Sequence, residues 1–171
     1  GIATDQIVKR RMMKPVKVSG STADDIIIHI NAPDGCPRYS ARVIKGVKIS
    51  PSPQWLSDRL NSIGLYSINN IVDAANYVLM DSGHPMHTFD LSKISGNEIN
   101  IRFAKNGEKF TTLDDDEKEL NDFHLLICDG EKPVALAGIM GGMNSEIIDE
   151  TTDILIESAY FNPTVIRKGA K

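Results

Sequence analysis

The chain opens, after its first twenty or so residues, with two segments rich in β-branched residues. Residues 26–30 read Ile-Ile-Ile-His-Ile and end at residues 31–35, a cluster of turn-forming residues that includes Pro33 and Gly35. Residues 39–49 form a second and longer segment of the same kind, in which Gly46 favours a bend. We therefore predict two strands before residue 50.

The hydrophobic pattern then changes to the period of helices. Ser52 is suited to an N-cap, Pro53 to the first helical position, and Gly64 lies just past the predicted end. A second helix is predicted over residues 70–81, with Gly83 as its stop. The first helix has an apolar stripe of Trp55, Leu56, Leu60 and Ile63. The second has one made by Ile71, Val72, Ala75, Val78 and Leu79.

Strand patterns dominate the second half of the chain. Strands are predicted at 99–103, 109–113, 118–120, 125–128, 134–137 and 154–156, and a last helix is capped by Asn162-Pro163. The acidic residues 114–117 are most simply a hairpin turn, and Asp129-Gly130 marks a second hairpin. Helices early and strands late predict an α+β fold with a sheet-rich, β-sandwich-like core and flanking helices.

The N-terminal residues form a separate region. Residues 4–13 predict a short basic helix that ends before Pro15, and residues 19–22 are typical of a linker. We therefore divide the chain into a linker with a short basic helix at 1–22 and a domain at 23–171. The basic residues Lys9, Arg10 and Arg11 are most simply a solvated helix face.

Composition excludes several classes of protein. The formal net charge of −4 weighs against a stand-alone nucleic-acid-binding protein, whose phosphate contacts require a basic surface. Cys36 and Cys128 form neither a disulfide framework nor a zinc motif. No apolar run is long enough to cross a bilayer, so no membrane partner is predicted. These features favour a cytoplasmic protein.

The first candidate site lies at the end of the second helix. Asn76 is followed by residues 83–90, Gly-His-Pro-Met-His-Thr-Phe-Asp, which place His87 on a constrained, irregular segment where functional side chains concentrate. His84, His87 and Asp90 have a spacing that could bind a metal, although no helix or hairpin fixes both rings. A structural histidine that bonds the backbone is the third interpretation of His87.

Two further segments carry candidate chemistry. Residues 135–142 contain Gly138, Gly141 and Gly142 after a strand and before no helix, so they fail the condition for a phosphate-binding loop. The glycines allow a close approach of the backbone, either to another strand or to a small ligand. Glu157 ends an apolar strand, where its carboxylate is either exposed at the strand end or paired in a pocket.

Five ordered motifs resemble the editing domain of bacterial phenylalanyl-tRNA synthetase β subunits. They are Cys36-Pro37-Arg38-Tyr39, residues 71–78, residues 83–90, residues 137–142 and residues 155–161. The resemblance implies hydrolysis of mis-tyrosylated tRNA(Phe). For that reaction the resemblance implies that His87 lies near the scissile ester with Asn76 nearby, and that Glu157 recognises the phenolic hydroxyl. It also implies a tyrosine pocket lined by Ala137, Gly138, Gly141 and Glu157, without a metal.

The resemblance also carries expectations for the whole enzyme. These are an α2β2 assembly with an α subunit, tRNA(Phe) as partner, and ATP and Mg used outside this domain, which itself needs no cofactor. Tyr66 stands where many relatives carry Arg, and Ala75 where many carry Thr. The family continues beyond the residue at which this chain ends, so we expect a domain truncated at its C-terminal end. A non-catalytic module that positions tRNA is the alternative function.

Overall fold

The computed structural model describes residues 18–170. The predicted helix at 4–13 and the basic residues Lys9, Arg10 and Arg11 lie outside the described residues.

The described part contains ten strands and three α-helices. The strands are β1 Ile27–Ile30, β2 Arg38–Lys45, β3 His87–Asp90, β4 Glu98–Phe103, β5 Glu108–Thr111, β6 Glu117–Leu120, β7 Leu125–Cys128, β8 Pro133–Leu136, β9 Met140–Gly141 and β10 Asp153–Tyr160. The helices are α1 Gln54–Asn61, α2 Asn70–Ser82 and α3 Pro163–Gly169.

Two sheets form the centre of the molecule. One has the strand order β1-β4-β7-β8-β9, in which only β1 and β4 are parallel. The other is antiparallel, with β10 between β2 and β3. A separate hairpin of β5 and β6 turns at the acidic residues 114–116, as the sequence predicts.

The inner faces of the two sheets share one hydrophobic core. Leu155 of β10 and Phe89 of β3 are opposite each other and fully buried. They belong to the same cluster as Ile99, Ile101 and Ile127 of the larger sheet. Complete burial of each such side chain contributes about 1.5–3 kcal/mol. The predicted α+β fold with a sheet-rich core is confirmed.

The helices α1 and α2 differ in how well the sequence predicts them. Gly83 ends α2 in the left-handed conformation (φ 73°), as predicted, and the side chain of Asn69 caps its first turn. The N-cap predicted at Ser52 is wrong, because Pro53 holds that position and makes no side-chain cap. The predicted stripe of α1 is also too wide, since Trp55 is 56% exposed and Ile63 55% exposed. This short helix packs on α2, so only part of its surface is covered.

Asp73 is the one buried residue of α2, and it ties three segments together. Its carboxylate accepts hydrogen bonds from the hydroxyl of Ser52 (2.5 Å), from the hydroxyl of Ser67, and from the backbone N–H of Ile68 (2.9 Å). Burial alone raises the pKa of this carboxyl, but the three hydrogen bonds together lower it below its usual value. Asp73 therefore holds the segment before α1 and the loop before α2 onto the helix.

Among the helices of residues 18–170, none combines the length and the hydrophobicity of a membrane-spanning segment.

Candidate functional site

A cavity of about 550 Å³ opens beside the smaller sheet, next to the turn between β8 and β9 and to α3. This volume is in the range of small-molecule sites, and the surface is mostly apolar with a few polar groups, as such sites usually are. Glu157 and His87 are the two buried or half-buried ionisable side chains in its wall, and His84 and Arg167 are exposed. The apolar wall includes Met86, Ile127, Ala135, Leu136, Ile139, Ala159, Phe161 and Ile166.

Glu157 lies in the middle of β10, whereas the sequence places it at a strand end. The strand continues to Tyr160, and Glu157 is paired with His87 of β3 on one side and Ala41 of β2 on the other. Its side chain points inward between the sheets and is only 5% exposed. The hydroxyl of Tyr39 donates a hydrogen bond of 3.5 Å to its Oε2.

Burial changes the ionisation of Glu157 strongly. Desolvation raises the pKa of its carboxyl to about 8, and the hydrogen bond from Tyr39 offsets this only in part. The carboxyl is therefore largely neutral at pH 7. Burial also raises the pKa of Tyr39 well above its usual value, so its hydroxyl remains a donor.

This pKa predicts a pH dependence of stability. An unfolded Glu157 ionises near pH 4.5, so the stabilisation from its neutral folded form is complete below that pH and is lost as the pH rises through about 8. We expect the free energy of unfolding to fall by about 2 kcal/mol between about pH 6.5 and about pH 8.5. Urea unfolding at several pH values measures this. The Glu157→Gln variant should lack the decrease, and an equal decrease in that variant would contradict the assignment.

His87 is the first residue of β3, whereas the sequence places it in an irregular loop. Its ring packs edge-on against Phe89, with centroids 4.5 Å apart. Burial lowers the pKa of its imidazole to about 4, so the ring is neutral at pH 7. No group within residues 18–170 hydrogen-bonds the ring nitrogens, whereas every fully buried side-chain nitrogen there has a partner. The ring nitrogens therefore retain access to the cavity.

Two of the glycines that the sequence predicts at the site exclude a larger residue for different physical reasons. A Cβ on Gly141 would lie 2.7 Å from Cε1 and 2.9 Å from Nε2 of His87, so the imidazole occupies the space that a side chain would need. Gly138 has a φ of 65°, and a Cβ there would lie 3.1 Å from Phe161. Both line the cavity. Gly141 thus allows His87 to reach the wall of the cavity.

Two other predicted site residues lie outside the cavity wall. Ala137 is fully buried in the core, and its neighbours Leu136 and Gly138 line the cavity instead. Asn76 is half-buried on α2 and is not among the lining residues.

The residues of the metal hypothesis are not brought together. No group of three potential ligands forms among the residues that the structure describes. His87 and Asp90 are three positions apart in β3, so their side chains point to opposite faces. Asp90 instead accepts hydrogen bonds from Ser92 and Thr151, and His84 is exposed at the cavity.

Sequence reasoning missed several residues of this site. Tyr39 contacts Glu157 only because β2 and β10 pair, and these residues are 118 positions apart in the chain. Ala159, Phe161 and Ile166 reach the cavity from the end of β10 and from α3. The motif at residues 36–39 was the only sequence signal that pointed to Tyr39. Its contact with Glu157 follows from the register of β2 and β10, which the motif does not contain.

The fold and the cavity together define an α+β domain with a mostly apolar pocket that carries a buried carboxyl and a neutral imidazole. Residues 35–171 match the B3/4 domain, and the chain therefore belongs to the B3/4 domain family.

The curated relatives are considerably longer proteins. The chain is 59% identical over 138 residues to the phenylalanine–tRNA ligase β subunit of Geobacter metallireducens, covering 81% of this chain and 17% of that protein. It is 49% identical over 165 residues to the β subunit of Anaeromyxobacter dehalogenans, covering 95% of this chain and 21% of that protein. The chain thus spans about a fifth of the length of these relatives. These matches confirm the resemblance given by the sequence motifs.

A solved structure supports the fold. The chain resembles an N-terminal fragment of the phenylalanyl-tRNA synthetase β subunit from Pyrococcus horikoshii, with a TM-score of 0.64 and 14% identity. The match covers 92% of this chain and 50% of that one. At this identity the likeness concerns the fold alone.

Proposed function

We propose that this chain is the editing domain of a phenylalanine–tRNA ligase β subunit and hydrolyses tyrosine from mis-tyrosylated tRNA(Phe). Family membership and the names of the similar proteins support the ligase assignment. The single observation that carries the editing role is the Glu157 carboxyl, buried in an apolar cavity with His87 beside it. An apolar cavity with one buried polar group is suited to a phenol.

The chemistry of selection follows from that arrangement. A pocket built for phenylalanine rejects tyrosine only modestly, because one extra hydroxyl in an apolar slot costs little. A second pocket that hydrogen-bonds the hydroxyl selects tyrosine strongly, because phenylalanine leaves the buried polar group without a partner. We assign the Glu157 carboxyl to the phenolic hydroxyl as its hydrogen-bond partner. Gly138 and Gly141 let the side chains of Phe161 and His87 pack against the backbone at the cavity wall.

Hydrolysis requires little more than a positioned water. Water adds to the ester carbonyl, the tRNA 3′-hydroxyl leaves with a proton, and free tyrosine and tRNA(Phe) result. We assign His87 to the scissile ester, where its neutral imidazole can hold the water or donate to the carbonyl oxygen. We also assign Asn76 to this reaction. Because Asn76 is not among the residues that line the cavity, we expect its replacement to slow hydrolysis less than replacement of His87 does.

The remaining roles of the ligase belong outside this chain. We propose an α2β2 assembly with an α subunit, acting in the cytoplasm, with ATP and Mg used in the aminoacylation site. The net charge of −4 implies that most contacts to tRNA(Phe) are made by other parts of that assembly.

A deacylation assay with His87→Ala tests the function. In the complete ligase, we expect the variant to hydrolyse tyrosyl-tRNA(Phe) at least about tenfold more slowly, because one group that positions the reacting atoms is lost. Charging with phenylalanine should persist. His29→Ala is the matched control, since His29 is exposed on β1 and is not among the cavity residues. Unchanged hydrolysis in His87→Ala would instead favour the non-catalytic tRNA-positioning module.

A further inference from the structure

Glu157 and Tyr39 form an isolated polar pair inside the core. Tyr39 is 9% exposed and belongs to the main hydrophobic cluster, and it is not among the residues that line the cavity. Within residues 18–170, the hydrogen bond between the two side chains is the only one that either of them makes. The two groups therefore depend on each other for their polar contact.

The two carboxyl oxygens of Glu157 have different environments. Oε2 accepts the hydrogen bond from Tyr39. Oε1 has no partner within the described residues, although every fully buried side-chain oxygen there has one. Oε1 therefore keeps accessible surface, and the accessible space beside Glu157 is the cavity. Glu157 thus lines the cavity with one carboxyl oxygen bonded to Tyr39 and the other without a partner among the described residues.

We propose that Tyr39 is a positioning residue for tyrosine selection, holding Oε2 of Glu157 so that Oε1 faces the phenolic hydroxyl of the substrate. This inference rests on the proposed editing function and assigns a role to a residue that does not touch the substrate. Without the Tyr39 hydroxyl, the Glu157 side chain can rotate about its last bond. It then presents no fixed acceptor or donor to the ligand.

The test compares Tyr39→Phe with wild type in the complete ligase. Phenylalanine keeps the ring that packs in the core and removes only the hydroxyl. We expect the ratio of kcat/KM for tyrosyl-tRNA(Phe) over phenylalanyl-tRNA(Phe) hydrolysis to fall about tenfold. Tyr77→Phe is the matched control, because the hydroxyl of Tyr77 accepts its hydrogen bond from Arg59 on the helix surface. In the Glu157→Ala background, where there is no side-chain oxygen left to position, Tyr39→Phe should cause no further loss.

A second measurement separates positioning from packing. The titration of Glu157 is followed by the 13C shift of its carboxyl carbon in this chain. Because the Tyr39 hydrogen bond lowers the pKa of Glu157, Tyr39→Phe should move the midpoint upward from about 8. The ionisable groups around the carboxyl are Cys36 just before β2, Tyr39 on β2, His87 on β3, and His84, Tyr160 and Arg167 at the cavity. The carboxyl carbon reports the ionisation of Glu157 itself, so the measured midpoint belongs to this group.

The outcomes are distinct. A raised midpoint together with reduced discrimination supports the proposal. Unchanged discrimination overturns it, whether the midpoint moves or not, and so does an unchanged midpoint in a variant that retains the wild-type fold by circular dichroism. If wild-type ligase itself does not prefer tyrosyl-tRNA(Phe), the editing function fails first, and the role of Tyr39 in selection fails with it.

Discussion

Replacing Glu157 by alanine in the complete ligase is expected to lower the preference for tyrosyl-tRNA(Phe) over phenylalanyl-tRNA(Phe) in hydrolysis by about 100-fold. The carboxyl is the only buried polar group that the described cavity wall offers to a phenol, apart from the imidazole of His87. Its removal leaves the tyrosine hydroxyl desolvated without a partner. Tyrosine esters should then be bound no better than phenylalanine esters.

Two further variants make this result interpretable. Glu157→Gln keeps the size of the side chain and one carbonyl acceptor, so we expect a loss smaller than that of the alanine variant. Glu119→Ala removes a carboxylate that is exposed on β6 and is expected to leave hydrolysis unchanged. Deacylation of both aminoacyl-tRNAs measures the preference directly. Retention of the full preference in Glu157→Ala would exclude this carboxyl as the group that recognises tyrosine.

The second large effect concerns stability and is located at Asp73. We expect Asp73→Ala to lower the free energy of unfolding by about 3–5 kcal/mol, since it removes a buried acceptor of three hydrogen bonds and leaves the donors of Ser52, Ser67 and Ile68 without it. The loss should appear in chemical denaturation at neutral pH. The α1–α2 region should be affected most.

Asp81→Ala is the matched control for this prediction. Asp81 is exposed near the C-terminal end of the same helix, where replacement should change stability by no more than about 0.5 kcal/mol. Hydrogen exchange adds a local readout, because loss of the Asp73 anchor should weaken protection in α2 more than in β7. A cost of less than about 1 kcal/mol for Asp73→Ala would mean that its hydrogen bonds contribute little.

The local signals in the sequence were sufficient for most of the fold. Gly83 ends α2 and Asn162 caps α3 where the residue types predict, because these are interactions between close neighbours in the chain. The predictions for α1 were wrong where tertiary contacts decide the outcome. Ser52 bonds Asp73 rather than capping the helix, and Trp55 stays largely exposed because it packs only edge-on against Tyr77 of α2.

For the candidate site, too, the sequence identifies the residues but not their geometry. The motifs around His87, Gly141 and Glu157 identify residues that the structure brings to one cavity. Their geometry depends on the pairing of β10 with both β2 and β3, which joins segments about 70 and 115 residues apart and cannot be read from either segment alone. For that reason the sequence placed Glu157 at a strand end and gave no role to Tyr39.

The most direct test of the account is whether the cavity distinguishes a phenol from a phenyl ring at Glu157. Calorimetry and NMR would compare the binding of two non-hydrolysable amide analogues, tyrosyl- and phenylalanyl-3′-amino-3′-deoxyadenosine, to this chain. We expect at least about tenfold tighter binding of the tyrosyl analogue, with the largest chemical-shift changes at Glu157 and Gly141. Equal affinities, or shifts confined to residues away from the cavity, would contradict it.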